Sequence, residues 1–353
     1  AICRRGSARA AIAGRWGPLL PPDPIRAYRL RWKRRRLLAR AVRKRRQLTP
    51  VVDRTDRIEP GAILLFLCCR NEARRLPSFL NHHEALGVDH IIAVDNGSTD
   101  DTVAHLTDRP NVSVWRTDHS YRLSRFGLDW ITWLMIRFGH GHWCLTLDAD
   151  ELLIYPHWQD RPLPALTERL VREGRASMGA LMLDLYPEGR LADTANDPDP
   201  LRTLTHFDAG NYTIRRQAPM GNLWIQGGPR ARNFFAEDPR RAPTLQKVPL
   251  IRWDRRYVYV NSTHAALPRR LNGIYDEGEM LGGVLLHTKF MDTIVEKSSE
   301  ELLRREHFAN ATLYDDYYTA LIDNPALSCA FSTRYRGWRH LEAKGLMSRG
   351  DWV

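Results

Sequence analysis

Asp148 and Asp150 stand two residues apart directly behind the apolar run Trp143-Cys144-Leu145-Thr146-Leu147. Alternate residues at a strand end project to the same side, so two carboxylates in this spacing can share one hard cation, Mg2+ or Mn2+. Such a cation keeps open positions for a pyrophosphate and offsets the negative charge that grows on a departing phosphate. A bare Asp-x-Asp turns up by chance in many chains; its place after a strand-length apolar run makes it informative. Two more polar clusters close apolar runs in the same way. Asn71-Glu72 follows the run from Ala62 to Cys68, and Asp95-Asn96-Gly97-Ser98 follows His90-Ile91-Ile92-Ala93-Val94. Ligands bind outside the carboxyl ends of the strands in an open parallel sheet, so the three clusters are expected to converge on one rim.

The elements that must position them alternate. Apolar runs predict strands at 62–68, 90–94, 112–115 and 143–147, separated by helices over about 76–86, 101–106 and 123–138. This pattern implies a doubly wound, mostly parallel α/β sheet. Past Glu151 the alternation loosens, with strands expected at 178–185, 245–253, 257–260 and 283–289 and a closing helical region over 292–322. Pro and Gly mark long connections at 186–203 and 227–243. The spacing of Phe126, Trp130, Trp133, Leu134 and Phe138 is that of a helix packed on a core. His82 and His83 are neighbours on a helix, point apart, and are not expected to share a metal.

The net charge of +12 is unevenly placed: residues 1–50 hold 16 Lys and Arg against the single acid Asp23, leaving a remainder of −3. A mildly acidic body is not the footprint of a nucleic-acid-binding surface, and no nucleic-acid partner is expected. Residues 1–24 show no clear periodicity, whereas 25–48 mix Tyr28, Leu30, Trp32, Leu37 and Leu38 with Arg and Lys. Such a helix either lies on an anionic membrane surface or packs on the domain by its apolar strip. The chain thus divides into a basic arm, 1–50, and a catalytic domain, 61–345, with a nucleotide-binding half at 61–153 and an acceptor half at 154–345. No run approaches the roughly 18 apolar residues of a membrane span. Five cysteines without C-x-x-C spacing fit a reduced compartment. A cytoplasmic protein, at most peripheral at the inner face of the membrane, is expected.

Asn71-Glu72, Val94-Asp95-Asn96-Gly97-Ser98-Thr99-Asp100 and Leu147-Asp148-Ala149-Asp150-Glu151 occur in an order and spacing that resemble the family 2 glycosyltransferases, particularly bacterial family 2-like members. The resemblance covers about residues 61–345 and is most specific between Leu64 and Leu153. It implies a GT-A fold, a nucleotide-sugar donor such as a UDP-sugar, a glycan or glycolipid acceptor, and inversion at the anomeric carbon. It also implies that Asp95 bonds the nucleobase or ribose, that the backbone near Cys69 and Asn71, with Glu72 and Asn96 beside it, frames the base, and that Asp148 and Asp150 meet ribose and metal.

Downstream, Gly227-Gly228-Pro229-Arg230-Ala231-Arg232, Lys247-Val248-Pro249-Leu250, Ser262-Thr263-His264 and Leu286-His287-Thr288-Lys289-Phe290 look like further landmarks of the same subgroup. Arg230, Arg232 and Lys247 are candidate phosphate or acceptor contacts, as are Arg122 and Arg125 for the donor pyrophosphate. His287 is either a third metal ligand, by the same resemblance, or a satisfied core histidine. Inverting transfer needs a base, for which Asp184 inside an apolar run, His264, and Asp238 of Glu237-Asp238 are the candidates. A nucleotidyltransferase is disfavoured, because Arg70-Asn71-Glu72-Ala73 stands where its Gly-rich basic loop belongs. A catalytically inactive relative that binds a membrane or polyanion through the arm is the alternative from another class.

Overall fold

The structure is a computed structural model in which residues 20–193, 197–274, 280–304 and 315–353 are described. The first 19 residues of the arm lie outside these segments, as do residues 305–314 of the expected closing helical region. Among the described residues the chain forms a mixed α/β layer structure on a nine-stranded sheet ordered β1-β4-β3-β2-β5-β11-β7-β14-β6. The strands are β1 (Thr49–Val52), β2 (Ile63–Cys69), β3 (His90–Asp95), β4 (Val112–Arg116), β5 (Trp143–Thr146), β6 (Glu151–Ile154), β7 (Ser177–Asp184), β11 (Gln246–Arg252) and β14 (Gly283–His287). Three two-stranded ribbons stand outside it: β10 (Leu223–Gly227) with β9 (Tyr212–Arg216), β12 (Val258–Tyr259) with β13 (Ala266–Leu267), and β15 (Ser332–Arg334) with β8 (His206–Asp208).

β4, β3, β2 and β5 pair in parallel, as do β7 and β14, while β1, β11 and β6 run the other way. The expected mostly parallel sheet is therefore present, with one reversed strand at each edge and one inserted at the centre. That reversal matters for the site. An antiparallel strand begins where its parallel neighbours end, so Lys247, the second residue of β11, and Glu151, the first of β6, join the rim formed by the ends of β2, β3, β5, β7 and β14.

Strand alternation divides the core into two layers. Ile63, Leu65 and Leu67 face one cluster together with Phe79 and Leu80 of the helix α2 (Leu76–Ala85) and Leu166 and Leu170 of a later helix, Leu163–Arg172. Leu64 and Phe66 face the other, with Trp130, Ile131, Leu134 and Met135 of the helix α4 (Leu128–Phe138), which follows the short helix α3 (Thr102–Thr107). The predicted aromatic helix thus forms, yet starts five residues later than its periodicity suggests. Arg125, Phe126 and Gly127 are all left-handed, with φ of 56°, 59° and 74°, and break it from the 3₁₀ turn Arg122–Ser124. A Cβ at Gly127 would stand 2.8 Å from the Cys68 sulfur, so glycine also lets this turn press against β2.

The described part of the basic arm packs against this layer. The helix α1 (Pro24–Lys44) opens at Asp23, whose side chain caps the Arg26 amide, and buries Leu30, Leu37 and Ala41. Leu30 and Leu37 pack with Met220, Val258 and Leu267. Arg40 reaches Asp129 at 2.6 Å, and Arg125 reaches the other oxygen of the same fully buried carboxylate at 2.8 Å. The Trp130 indole donates to Gln47 at 2.9 Å.

One buried histidine yields a stability test. His90, 3% exposed at the start of β3, holds the Ser113 hydroxyl at 2.9 Å, and burial pushes its imidazole down to about 4. The unfolded chain takes up this proton near the ordinary value of 6.5, the folded chain only near 4, so stability is lost as pH falls through that window. Denaturant titrations from neutral pH to about pH 4 should show a decline that His90→Gln reduces by up to ~3 kcal/mol, at about 1.4 kcal/mol per pH unit. An identical decline in both proteins would remove His90 as a cause.

Candidate functional site

The loops that follow β2 and β3 are tied into one unit. Asn71, left-handed at φ 50°, donates its backbone amide to the Ser98 hydroxyl at 3.0 Å and accepts on its side-chain oxygen from the Thr99 amide at 2.9 Å. The Glu72 amide donates to the Thr102 hydroxyl at 2.7 Å, the Ala73 amide to Asp100 at 3.1 Å, and the Asn96 amide to the Cys69 carbonyl at 2.9 Å. Asp95, which the family resemblance assigns to a base or ribose, is fully buried; it accepts from the Ser98 amide at 3.1 Å, with Arg116 at 3.8 Å. Asn96 spends its side-chain amide on the Thr117 and His119 carbonyls, both at 3.0 Å. Asp95 and Asn96 therefore shape the loop from within, and Asn71 and Glu72 form its lip.

Asp148 and Asp150 do not lie on a strand. β5 ends at Thr146, and Asp148-Ala149-Asp150-Glu151 is a turn closed by the Glu151 amide on the Asp148 carbonyl at 3.1 Å. Alternation therefore does not apply, and the two carboxylates take different partners. Asp148, with half its side chain exposed, receives the Lys247 ammonium at 2.8 Å; Lys247 also pairs closely with the fully buried Glu151. Burial, with Asp148 and Asp150 nearby, pushes the Glu151 carboxyl up to about 7 despite Lys247. Against the penalty of burial, Asp148 and Glu151 raise Lys247 above its ordinary range.

Asp150 instead faces His287, whose Nε2 lies 3.2 Å from Oδ2. The opposite nitrogen, Nδ1, contacts Asp184 Oδ1 at 2.6 Å, and Asp184 Oδ2 accepts from Arg230 Nε at 2.8 Å. A continuous chain Asp150–His287–Asp184–Arg230 thus enters the rim. Arg75, 4% exposed, approaches Asp150 at 3.7 Å while holding Glu72 at 3.0 Å and the Thr288 carbonyl at 3.3 Å. Thr288 fixes the Asp150 carbonyl through its amide at 2.7 Å and its hydroxyl at 3.0 Å. Burial opposes ionisation of Asp150, but His287 and then Arg75 hold its carboxyl well below the ordinary range. Burial likewise opposes the charge on His287, which Asp150 and Asp184 nevertheless raise above its usual value. Lys289 completes the surroundings: burial and then the Arg230 cation push it down to about 8, and it sits 5.6 Å over the Tyr317 ring. Among the described residues no carboxylate pairs with Lys289.

Several expected contacts lie elsewhere. Asp184 as a base conflicts with its geometry, since both oxygens are engaged and Arg230 and His287 hold it at about 2 in spite of burial. Asp238 is exposed and caps the Arg240 amide at 3.3 Å, away from the rim. Arg125 serves Asp129, Arg122 is exposed on its turn, and Arg232 clasps Asp208 at 2.8 and 3.1 Å. Arg230 and Arg232 part because they stand two residues apart on the helix Gly228–Phe234. Only glycine can lead into that helix, as a Cβ at Gly227 would fall 2.1 Å from the Asn211 carbonyl. His264 does stay near the rim. Its Nδ1 meets the Gln246 carbonyl at 2.6 Å, and burial, then Lys247, push it down to about 3, which leaves a neutral ring and a weak proton acceptor. Arg75, Thr288 and Lys289 were missed; Thr288 and Lys289 directly follow the candidate His287, the signal that could have found them.

A divalent cation fits one part of this set. With Nδ1–H of His287 on Asp184, Nε2 is the nitrogen that faces Asp150, and on giving up its proton it could ligate a cation there, the arrangement that second-shell carboxylates impose on metal-bound histidines. Among the described residues no three His, Cys, Asp or Glu side chains gather around a single point, and Asp148 is drawn off by Lys247. Asp150 and His287 are thus the two protein ligands the geometry offers, a carboxylate–imidazole pair that matches a transition ion such as Mn2+ better than Mg2+, which takes oxygen ligands.

No family model matches the chain, and no curated protein matches it. Among solved structures it is similar to a mycobacterial protein, at 19% identity over 37% of this chain with a TM-score of 0.24. It is also similar to glucosyl-3-phosphoglycerate synthase from Mycobacterium tuberculosis, solved with Mn2+, UDP and glucosyl-3-phosphoglycerate, at 20% identity over 38% of this chain with a TM-score of 0.24. The matched parts are 43% and 47% of those chains, under half their length. A putative glucose-1-phosphate thymidylyltransferase from Bacillus anthracis shares 10% identity over 80% of this chain and 94% of its own, with a TM-score of 0.27. Scores this low leave the activity to be argued from the site.

Lys247→Met should leave Glu151 buried without its cation and cost ~3–5 kcal/mol in denaturant unfolding. Adding Glu151→Gln should return most of that loss. Equal destabilisation of single and double variants would show that packing of the lysine stem, and not its charge, holds the rim.

Proposed function

We propose that this chain is a metal-dependent glycosyltransferase that moves a sugar from a nucleotide-sugar, a UDP-sugar in the first instance, to a glycan or glycolipid of cell-surface polysaccharide synthesis. The observation that carries the reading is the chain Asp150–His287–Asp184–Arg230 at the strand ends, ringed by Arg75 and Lys289. Asp150 and His287 would hold Mn2+ or Mg2+, which when bound supplies charge stabilisation to a leaving diphosphate.

The chain's own residues divide the remaining work. Asp184 and Arg230 orient His287 and keep its Nε2 directed at Asp150. Lys289 and Arg75 present cationic donors beside the same carboxylate, where a diphosphate would meet them with charge-assisted hydrogen bonds. Lys247 restrains Asp148, whose half-exposed side chain would contact the donor's ribose. The paired loops at 71–73 and 96–102 frame the base by their backbone. Inversion follows from the family resemblance, and with Asp184 committed to His287 and Arg230, the weakly basic His264 remains as the candidate base close to the rim.

Calorimetry across UDP-, GDP-, CMP- and dTDP-sugars, with Mn2+ or EDTA, tests this. One nucleotide class should bind only with metal, and Asp150→Ala should abolish that binding. Asp184→Asn should weaken Mn2+ affinity about 10- to 100-fold, read on protein shown to be folded, because the change also removes the partner of buried Arg230. Failure of every donor to bind a folded protein would end the reading.

A further inference from the structure

The helix α1 has two apolar faces, and only one meets the domain. Leu30, Leu37 and Ala41 are buried. At about 100° per residue, Ile25, Tyr28 and Trp32 form a line on roughly the opposite side. All three are exposed, at 68%, 60% and 52%. Tyr28 and Trp32 meet edge to face at 6.2 Å, and Arg35 lies 5.7 Å over the Trp32 ring. The same spacing puts Arg29 and Arg36 along one flank of the line and Arg31 and Arg35 along the other, all exposed. No acid lies among the 21 residues of α1; the nearest in sequence is its cap, Asp23.

We propose that this outward face docks the protein on an anionic lipid bilayer. Charge complementarity and depth together select this occupant. Bulky apolar side chains at the centre of the face suit the boundary of headgroups and acyl chains, and arginines on both flanks sit at the level of anionic headgroups. Trp and Tyr are the side chains that favour that boundary. A nucleic-acid surface would instead call for cations at the centre of the contact, where the phosphates lie. The helix is held to the domain by Arg40 on buried Asp129, so the face is presented in a fixed attitude. No helix of the described residues is long and apolar enough to cross a membrane, and docking of this type requires none. The proposal stands apart from the donor site and does not rest on the glycosyltransferase reading.

The test is flotation of the full chain with vesicles of phosphatidylcholine alone or mixed with phosphatidylglycerol, at low and high salt. The protein should float only with the anionic vesicles, and less so at high salt. Arg35→Glu with Arg36→Glu should lower partitioning about fivefold per cation removed, or more. Tyr28→Ser with Trp32→Ser should lower it roughly tenfold or more. The four positions are exposed, so both variants should keep the wild-type unfolding midpoint and wild-type donor binding. Absence of flotation with anionic vesicles, or flotation that neither pair of substitutions reduces, would overturn the proposal. Tighter binding to a single-stranded oligonucleotide than to anionic vesicles would also overturn it, and would assign the face to nucleic acid.

Discussion

A lysine ammonium that is 3% exposed must be met by carboxylates, because an unpaired charge at that depth costs several kcal/mol. Lys247 meets two, and the way it does so depends on the reversal of β11 within a parallel neighbourhood. Were β11 parallel, its first residues would lie at the far end of the sheet and Glu151 would be left buried alone. The reversed edge strand β6 brings Glu151 to the same place from the other side. Sheet topology and charge pairing are therefore one constraint: the acids at the strand ends need a cation there, and the antiparallel insertions deliver it.

From this follows the separation of the two aspartates. With Asp148 drawn to Lys247, Asp150 is left to His287 and Arg75. The alternating-strand argument placed both carboxylates on one side, and it fails because the segment after Thr146 is a turn. Within a turn, direction is set by whichever partner is near, and those partners come from residues 75, 247 and 287.

How much was legible follows from range. The strands around the first three clusters were readable because β2 and β3 are buried on both faces and appear as unbroken apolar runs. β6 was not recognised, since Glu151-Leu152-Leu153-Ile154 is four residues long and opens with an acid. The start of α4 was missed because its cause is three left-handed residues, and two of them are not glycine. Arg125 and Arg232 look ligand-facing in the sequence because an arginine beside a motif carries no mark of its internal partner. Asp129 and Asp208, which claim them, are four and 24 residues away in sequence. His287 was legible as one of two alternatives, and its link to Asp184 spans 103 residues.

The loops behind β2 and β3 are laced by bonds running in both directions, from 71, 72 and 73 to 98, 102 and 100 and back from 96 and 99 to 69 and 71. Mechanically they form a single hinge-free jaw, although they are parted by a helix and a strand in the chain. A ligand pressing on Asn71 loads Ser98 and Thr99 at once, and with them Asp95 beneath. The buried carboxylate that never reaches the surface thus acts as the keystone of the surface that does.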